Sequence, residues 1–126
     1  MVGLVVVSHS GTAAEGIAEV AGEMGGDSRI EPVGGDGQGG FGTVAEAIED
    51  AIAAADGGDG VVVLVDLGSA VMNAEVAIEM SDAAAVIADA PVLEGSVNAA
   101  VAATSPSATV ESVLEQAEAA GDIDKL

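Results

Sequence analysis

His9 is the only histidine of the chain, and it closes its most hydrophobic run, Val5-Val-Val-Ser-His-Ser-Gly-Thr12. Asp66 closes a second such run, Val61-Val-Val-Leu-Val-Asp66. Both runs read as buried strands that lead into helix starts. Ligands of open α/β sheets bind at the carboxyl ends of strands, so both residues are expected at the functional edge. If the two strands are neighbours, about 4.8 Å apart, the side chains can meet. An aspartate that accepts the Nδ1 proton of a histidine fixes its tautomer and leaves the Nε2 lone pair free. It also stabilises positive charge on the ring after that nitrogen has attacked. The alternatives are a loop histidine without a role and an aspartate that merely caps the next helix.

Other chemistries lack their residues. There is no cysteine, and one histidine cannot build a multi-histidine metal cluster, so no metal site is expected. No Gly-x-Ser-x-Gly elbow is present, and Ser8 and Ser10 are expected to point away from His9. No lysine precedes a serine or threonine in a phosphate-binding loop. His9 remains as the nucleophile, and the intermediate suited to this setting is a phosphoryl group on Nε2. Helix starts beside it, at Ser10-Gly11-Thr12 and at Gly68-Ser69, offer amides for an anion. The segment 34–42 holds a formal Gly-x-Gly-x-x-Gly match, but six of its nine residues are glycine, so the match carries little weight. It is read either as a loop bringing the Gly42 and Thr43 amides to the site or as a plain mobile connection.

Strand and helix patterns alternate along the chain. Strands are expected at 2–7, 29–33, 61–65 and 83–88. Helices are expected at 12–24, 43–55, 69–80 and 96–103, with a last one from Ser105-Pro106 to about 121. Thr12 with Glu15, and Thr43 with Glu46, read as capping boxes, and Ser105 as the last cap. Ile17, Val20 and Met24 read as the inner face of the first helix. Residues 91–95 read as a connector or short edge strand. The class is α/β: a small doubly wound, mainly parallel sheet of order 2-1-3-4, with helices on both faces, forming a single domain over residues 1–126.

The formal charge is −20, from 22 acidic and 2 basic residues, with Phe41 the one aromatic side chain. With neither a basic stripe nor stacking platforms, nucleic acid is excluded as a partner, and so is an anionic membrane. The longest apolar run is too short to span a bilayer and no basic segment precedes it, so a cytoplasmic location is expected. Half of the residues are hydrophobic, so the chain is folded and not an acidic tail. A core wrapped in carboxylates suggests a halophile's cytoplasm, where molar salt shortens the Debye length to ~3 Å.

Taken together, Val7-Ser-His-Ser10, the pair Gly34-Gly35 with Gly42-Thr43, and Asp66-Leu-Gly-Ser-Ala70 followed by Met72-Asn73 carry a family likeness. They resemble the phosphocarrier subunits of phosphotransferase-dependent dihydroxyacetone kinases and, more widely, mannose-type IIA domains. The resemblance implies that His9 accepts a phosphoryl group on Nε2 from the carrier HPr, ultimately from phosphoenolpyruvate. It implies transfer onward to ADP on the kinase's nucleotide-binding subunit, with no cofactor beyond the covalent phosphohistidine. It places Asp66 as the orienting residue and Ser69 and Asn73 close to the phosphoryl group. It also implies a homodimer and, with no HPr-like or enzyme I-like domain following, separate donors. Two alternatives stay open: a mannose-type IIA domain for sugar uptake, and a nucleotide-binding regulatory module in which His9 is inert.

Overall fold

The computed structural model describes residues 1–126. Its frame is a four-stranded parallel sheet of order β2-β1-β3-β4. The strands are β1 Gly3–Ser8, β2 Ile30–Gly34, β3 Val61–Val65 and β4 Ala85–Ile87. Between and after them come α1 Gly11–Gly25, α2 Ala45–Ala55, α3 Ser69–Met80, α4 Val92–Ala103 and α5 Val110–Ala119, which ends in a 3₁₀ turn at Ala120–Asp122. The expected sheet order and helix count hold.

The central strands β1 and β3 are buried on both faces because they are apolar at consecutive positions, while the edge strands β2 and β4 are half-buried. Side chains alternate across the pleat. Leu4, Val62 and Leu64 therefore face Ala21 of α1, Ala99, Ala100 and Ala103 of α4, and Val113 and Ala117 of α5. Val5, Val7, Val61 and Val63 face Ile48 and Ile52 of α2 and Ala70, Ala74 and Ala77 of α3. The chain reverses direction across the sheet between β1 and β3. These central strands pair in register from Gly3 opposite Val61 to Val7 opposite Val65, so their ends leave the sheet side by side.

Several expected boundaries are corrected. β1 and β2 each lie one residue later than expected, and β4 is only three residues long. Ser10 caps α1, its Oγ accepting from the Ala13 amide; the Thr12–Glu15 capping box does not form, because both residues already lie within the helix. The inner face of α1 is Ala14, Ala21 and Gly25, while Val20 and Met24 are exposed. The cause is close contact with α4: a Cβ built on Gly25 would lie 2.5 Å from the Ala100 Cβ. Small residues are what let two helices approach this closely. α2 starts at Ala45 after Val44, without a side-chain cap, so the Thr43–Glu46 box is also absent. No edge strand forms at 91–95, since α4 already starts at Val92 behind Pro91. Ser105-Pro106 forms a turn, and the last helix starts after Thr109, whose side chain and that of Ser112 make a reciprocal capping box.

Candidate functional site

At the C-terminal edge of the sheet, His9 follows β1 and Asp66 follows β3. The His9 Nδ1 atom lies 3.0 Å from Asp66 Oδ1. The backbone amide of His9 donates to the other carboxylate oxygen, Oδ2, at 3.0 Å. Leu67 N–H donates to Oδ1 at 2.8 Å, and the Ser8 hydroxyl donates to Oδ2 at 2.9 Å. Each carboxylate oxygen thus has two partners. Burial alone would raise the Asp66 pKa, but the hydrogen bonds from the His9 amide, the His9 ring, Ser8 and Leu67 outweigh it and hold the carboxyl below its ordinary value. An ionised Asp66 can only accept, so the proton of the neutral ring sits on Nδ1.

The other ring nitrogen faces α3. Ser69 Oγ lies 2.9 Å from His9 Nε2. Since Nε2 of this tautomer is an acceptor, the Ser69 hydroxyl donates to it. The first turn of α3 ties the Ala70 and Val71 amides to the Leu67 and Gly68 carbonyls, which leaves the Gly68 and Ser69 amides outside those bonds. Ser69 is thus next to Nε2, and Gly68 precedes it on the exposed helix start.

The glycine loop is built, and is not a slack connection. Asp36 Oδ1 accepts from the Gln38 and Gly40 amides, and the Asp36 amide donates to the Gly40 carbonyl. Those amide bonds hold the Asp36 carboxyl below the usual carboxylate range. Glycine is demanded by geometry along this loop, where Gly35, Gly37 and Gly39 have φ of 84°, 83° and 87°. A Cβ on Gly34 would lie 2.5 Å from the Ser8 carbonyl oxygen, and Gly42 has a φ of 146°. The Gly42 amide donates to the His9 carbonyl at 2.9 Å. It reaches the site by anchoring the histidine's backbone.

Thr43 and Asn73 meet each other. Asn73 Nδ2 donates to the Thr43 carbonyl at 3.1 Å and to Thr43 Oγ1 at 2.8 Å. They clamp the glycine loop to α3, and neither makes a hydrogen bond to the His9 ring. Ser10, Gly11 and Thr12 lie on the other flank, where they and the glycine loop line an open cleft of about 300 Å³ bounded by Phe41. His9 is not among the residues lining that cleft, and Ser10 N–H donates to Ser8 Oγ beside it. Phe41, Leu67 and Met72 are exposed around the site.

Ser8 is the functional neighbour that sequence reasoning missed. It is buried, and its hydroxyl points at Asp66 and not away from the site. The signal was the strand register: with Val7 opposite Val65, Ser8 falls one step on, opposite Asp66. Residues at the same level of adjacent strands share a face. The structure contains no group of three or more His, Cys, Asp or Glu side chains arranged to hold a metal ion. No helix is long and apolar enough to cross a membrane.

Comparison with known proteins shows the family and the fold. The sequence model of the EIIA-man family, described as the PTS system fructose IIA component, matches residues 3–114. A phosphoryl donor subunit, DhaM, of a PEP-dependent dihydroxyacetone kinase from Listeria innocua is 41% identical over 106 residues, covering 80% of this chain and 85% of the relative. The DhaM phosphotransferase subunit of the PTS-dependent dihydroxyacetone kinase of Lactococcus lactis is 34% identical over 116 residues, covering 92% and 93%. The Escherichia coli DhaM is longer: 39% identity over 113 residues covers 83% of this chain but 24% of that protein. A crystal structure of a protein of unknown function superposes with a TM-score of 0.85 at 29% identity, covering 99% of this chain and 98% of the other.

Proposed function

The chain belongs to the EIIA-man family of phosphotransferase-system components, and we propose that within it the chain is the phosphoryl donor subunit of a dihydroxyacetone kinase, carrying the phosphoryl group on His9 Nε2. The observation that carries this reading is the arrangement of the ring itself. Nδ1 is held by an ionised Asp66, while Nε2 faces the open start of α3 beside Ser69.

The chemistry follows from that arrangement. Nε2 attacks the phosphorus of a phosphohistidine on an HPr-like carrier. The Nε2–P bond forms as the donor's N–P bond breaks, and the donor imidazole leaves with the electron pair. The His9 ring keeps its Nδ1 proton and becomes formally cationic, and Asp66 stabilises that charge at 3.0 Å. The Ser69 hydroxyl gives up Nε2 and turns to a phosphoryl oxygen, joined by the Gly68 and Ser69 amides at the helix start. In the onward step a terminal phosphate oxygen of ADP, held on a separate kinase subunit, attacks the phosphorus. The Nε2–P bond breaks and His9 returns to its neutral Nδ1–H form. No cofactor takes part. Transfer through His9 makes the chain a covalent carrier of the system, with the acceptor chemistry on its partners.

The same reading includes a homodimer in a cytoplasm of high salt. Its support is the −20 formal charge and the prevalence of alanine and valine in the core. A second reading, service to a sugar permease, takes its support from the family's description as a fructose IIA component. The test is intact mass after incubation with phosphoenolpyruvate, enzyme I and HPr. A gain of ~80 Da that is discharged by the kinase subunits with ADP supports the proposal, as nucleophilic transfer requires. Discharge only to a sugar permease favours the second reading, and no mass gain refutes both.

A further inference from the structure

We propose that Ser8 is a positioning residue for His9, its hydroxyl aiming the Asp66 carboxylate at Nδ1. The inference rests on the reading of His9 as phosphoryl carrier and names the residue that keeps its nucleophilic nitrogen available. Two polar side chains of the chain are buried, Ser8 and Ser96. Ser96 is spent within its own helix, donating to the Val92 carbonyl. Ser8, only 2% exposed, faces the site.

The orientation of its proton is determined. Ser10 N–H donates to Ser8 Oγ at 3.1 Å, so the hydroxyl is already an acceptor there and has one proton to give. The acceptor within reach is Asp66 Oδ2, at 2.9 Å. A directed relay results: Ser10 N–H to Ser8 Oγ, Ser8 O–H to Asp66 Oδ2, and His9 Nδ1–H to Asp66 Oδ1. Ser8, His9 and Ser10 lie at and just after the end of β1 and Asp66 just after the end of β3, two strands that the in-register pairing holds together.

Removal of the hydroxyl has two consequences. Oδ2 is left with the His9 amide as its one donor, so the carboxylate swivels about its Cβ–Cγ bond and its Oδ1 drifts from the ring. Ser10 N–H loses its acceptor and competes for the same carboxylate. Both weaken the preference for the Nδ1–H tautomer. The Nε2–H form, whose lone pair points at Asp66 and cannot attack, then gains population. Buried networks of this kind act as a unit, so one deletion is felt at the far end.

The experiment compares Ser8→Ala and Ser8→Thr with wild type in molar KCl, each shown to be folded by circular dichroism. The first readout is the ¹⁵N shifts of the unphosphorylated His9 ring. Wild type and Ser8→Thr are expected to show the Nδ1–H tautomer, and Ser8→Ala a mixture of both. The second is the rate of His9 phosphorylation by HPr, expected to fall about tenfold in Ser8→Ala, the scale of one hydrogen bond to a charged group, and to recover in Ser8→Thr. An unchanged tautomer and rate in Ser8→Ala overturn the proposal. So does a folded Ser8→Thr as impaired as Ser8→Ala. If wild type accepts no phosphoryl group, the function assigned to His9 fails, while the nitrogen shifts still judge Ser8.

Discussion

Asp66→Asn keeps the size of the side chain at the centre of the site and removes its ability to accept at both ends. Asp66 accepts from the His9 ring and Leu67 N–H on one oxygen, and from Ser8 and His9 N–H on the other. One donor on each side is a backbone amide that cannot turn round. An asparagine amide therefore confronts a fixed N–H with its own NH₂ group whichever way it is flipped. With the NH₂ toward Ser8, the ring keeps its Nδ1–H form but loses the charge that stabilises the phosphorylated ring. With the NH₂ toward the ring, Nδ1 must accept, and the proton moves to Nε2. Tautomer errors of this kind cost ~10⁴ in a serine protease triad. Transfer between two proteins is less demanding, and we expect a loss on the order of 10²-fold in phosphorylation by HPr. One unpaired donor in this site, where the Asp66 side chain is 19% exposed, costs about 1–3 kcal/mol of stability. The apolar run of β3 is untouched, so the variant folds. The assay is the time course of the mass gain from phosphoenolpyruvate, enzyme I and HPr, with circular dichroism at matched salt. A folded variant phosphorylated at the wild-type rate refutes the role of Asp66 and reduces it to a cap of α3.

The remaining predictions address the frame of the site. Asn73→Ala removes both hydrogen bonds to Thr43, so amide exchange across residues 34–43 should quicken and His9 phosphorylation should slow by about fivefold; unchanged exchange would show that the clamp is dispensable. The Asp66 carboxyl is held below its unfolded value, so its contribution to stability is complete above about pH 3.9 and is lost as pH falls through the lower folded value. The gap in urea midpoint between wild type and Asp66→Asn should accordingly narrow as pH falls below about 4; a gap as wide well below pH 4 as at about pH 5 would contradict this. Screening of the −20 charge predicts a melting temperature that climbs as KCl rises to the molar range and a dimer by light scattering at high salt. A monomer in molar KCl would refute the dimer, and a salt-independent melting temperature would refute the reading of the charge.

The sheet order and the meeting of His9 with Asp66 were legible because both rest on strong local signals. Val61–Val65 is an unbroken apolar run between turn residues, and its end lies beside that of β1 whenever the two strands are central. Helix starts were less legible. Thr12 and Thr43 each stand three residues before a glutamate, yet Ser10 captures the cap of α1, and the Asn73 amide takes Thr43 out of the running for α2. The face of α1 was misread for a related reason. Hydrophobicity ranks Val20 and Met24 above Ala21 and Gly25, but the spacing between α1 and α4 admits only small residues. Adjacency to His9 along the chain suggests that Ser8 points elsewhere. The cross-strand register, which no single segment reveals, brings it to Asp66.

The central claim is that Nε2 of His9 carries the phosphoryl group. The direct measurement is ¹⁵N-edited and ³¹P NMR of the protein after incubation with phosphoenolpyruvate, enzyme I and HPr, run beside His9→Ala. One acid-labile phosphoryl group per chain is expected, bonded to Nε2, with Nδ1 still protonated toward Asp66 and no label on the variant. A phosphoryl group on Nδ1, or equal labelling of His9→Ala, would contradict it.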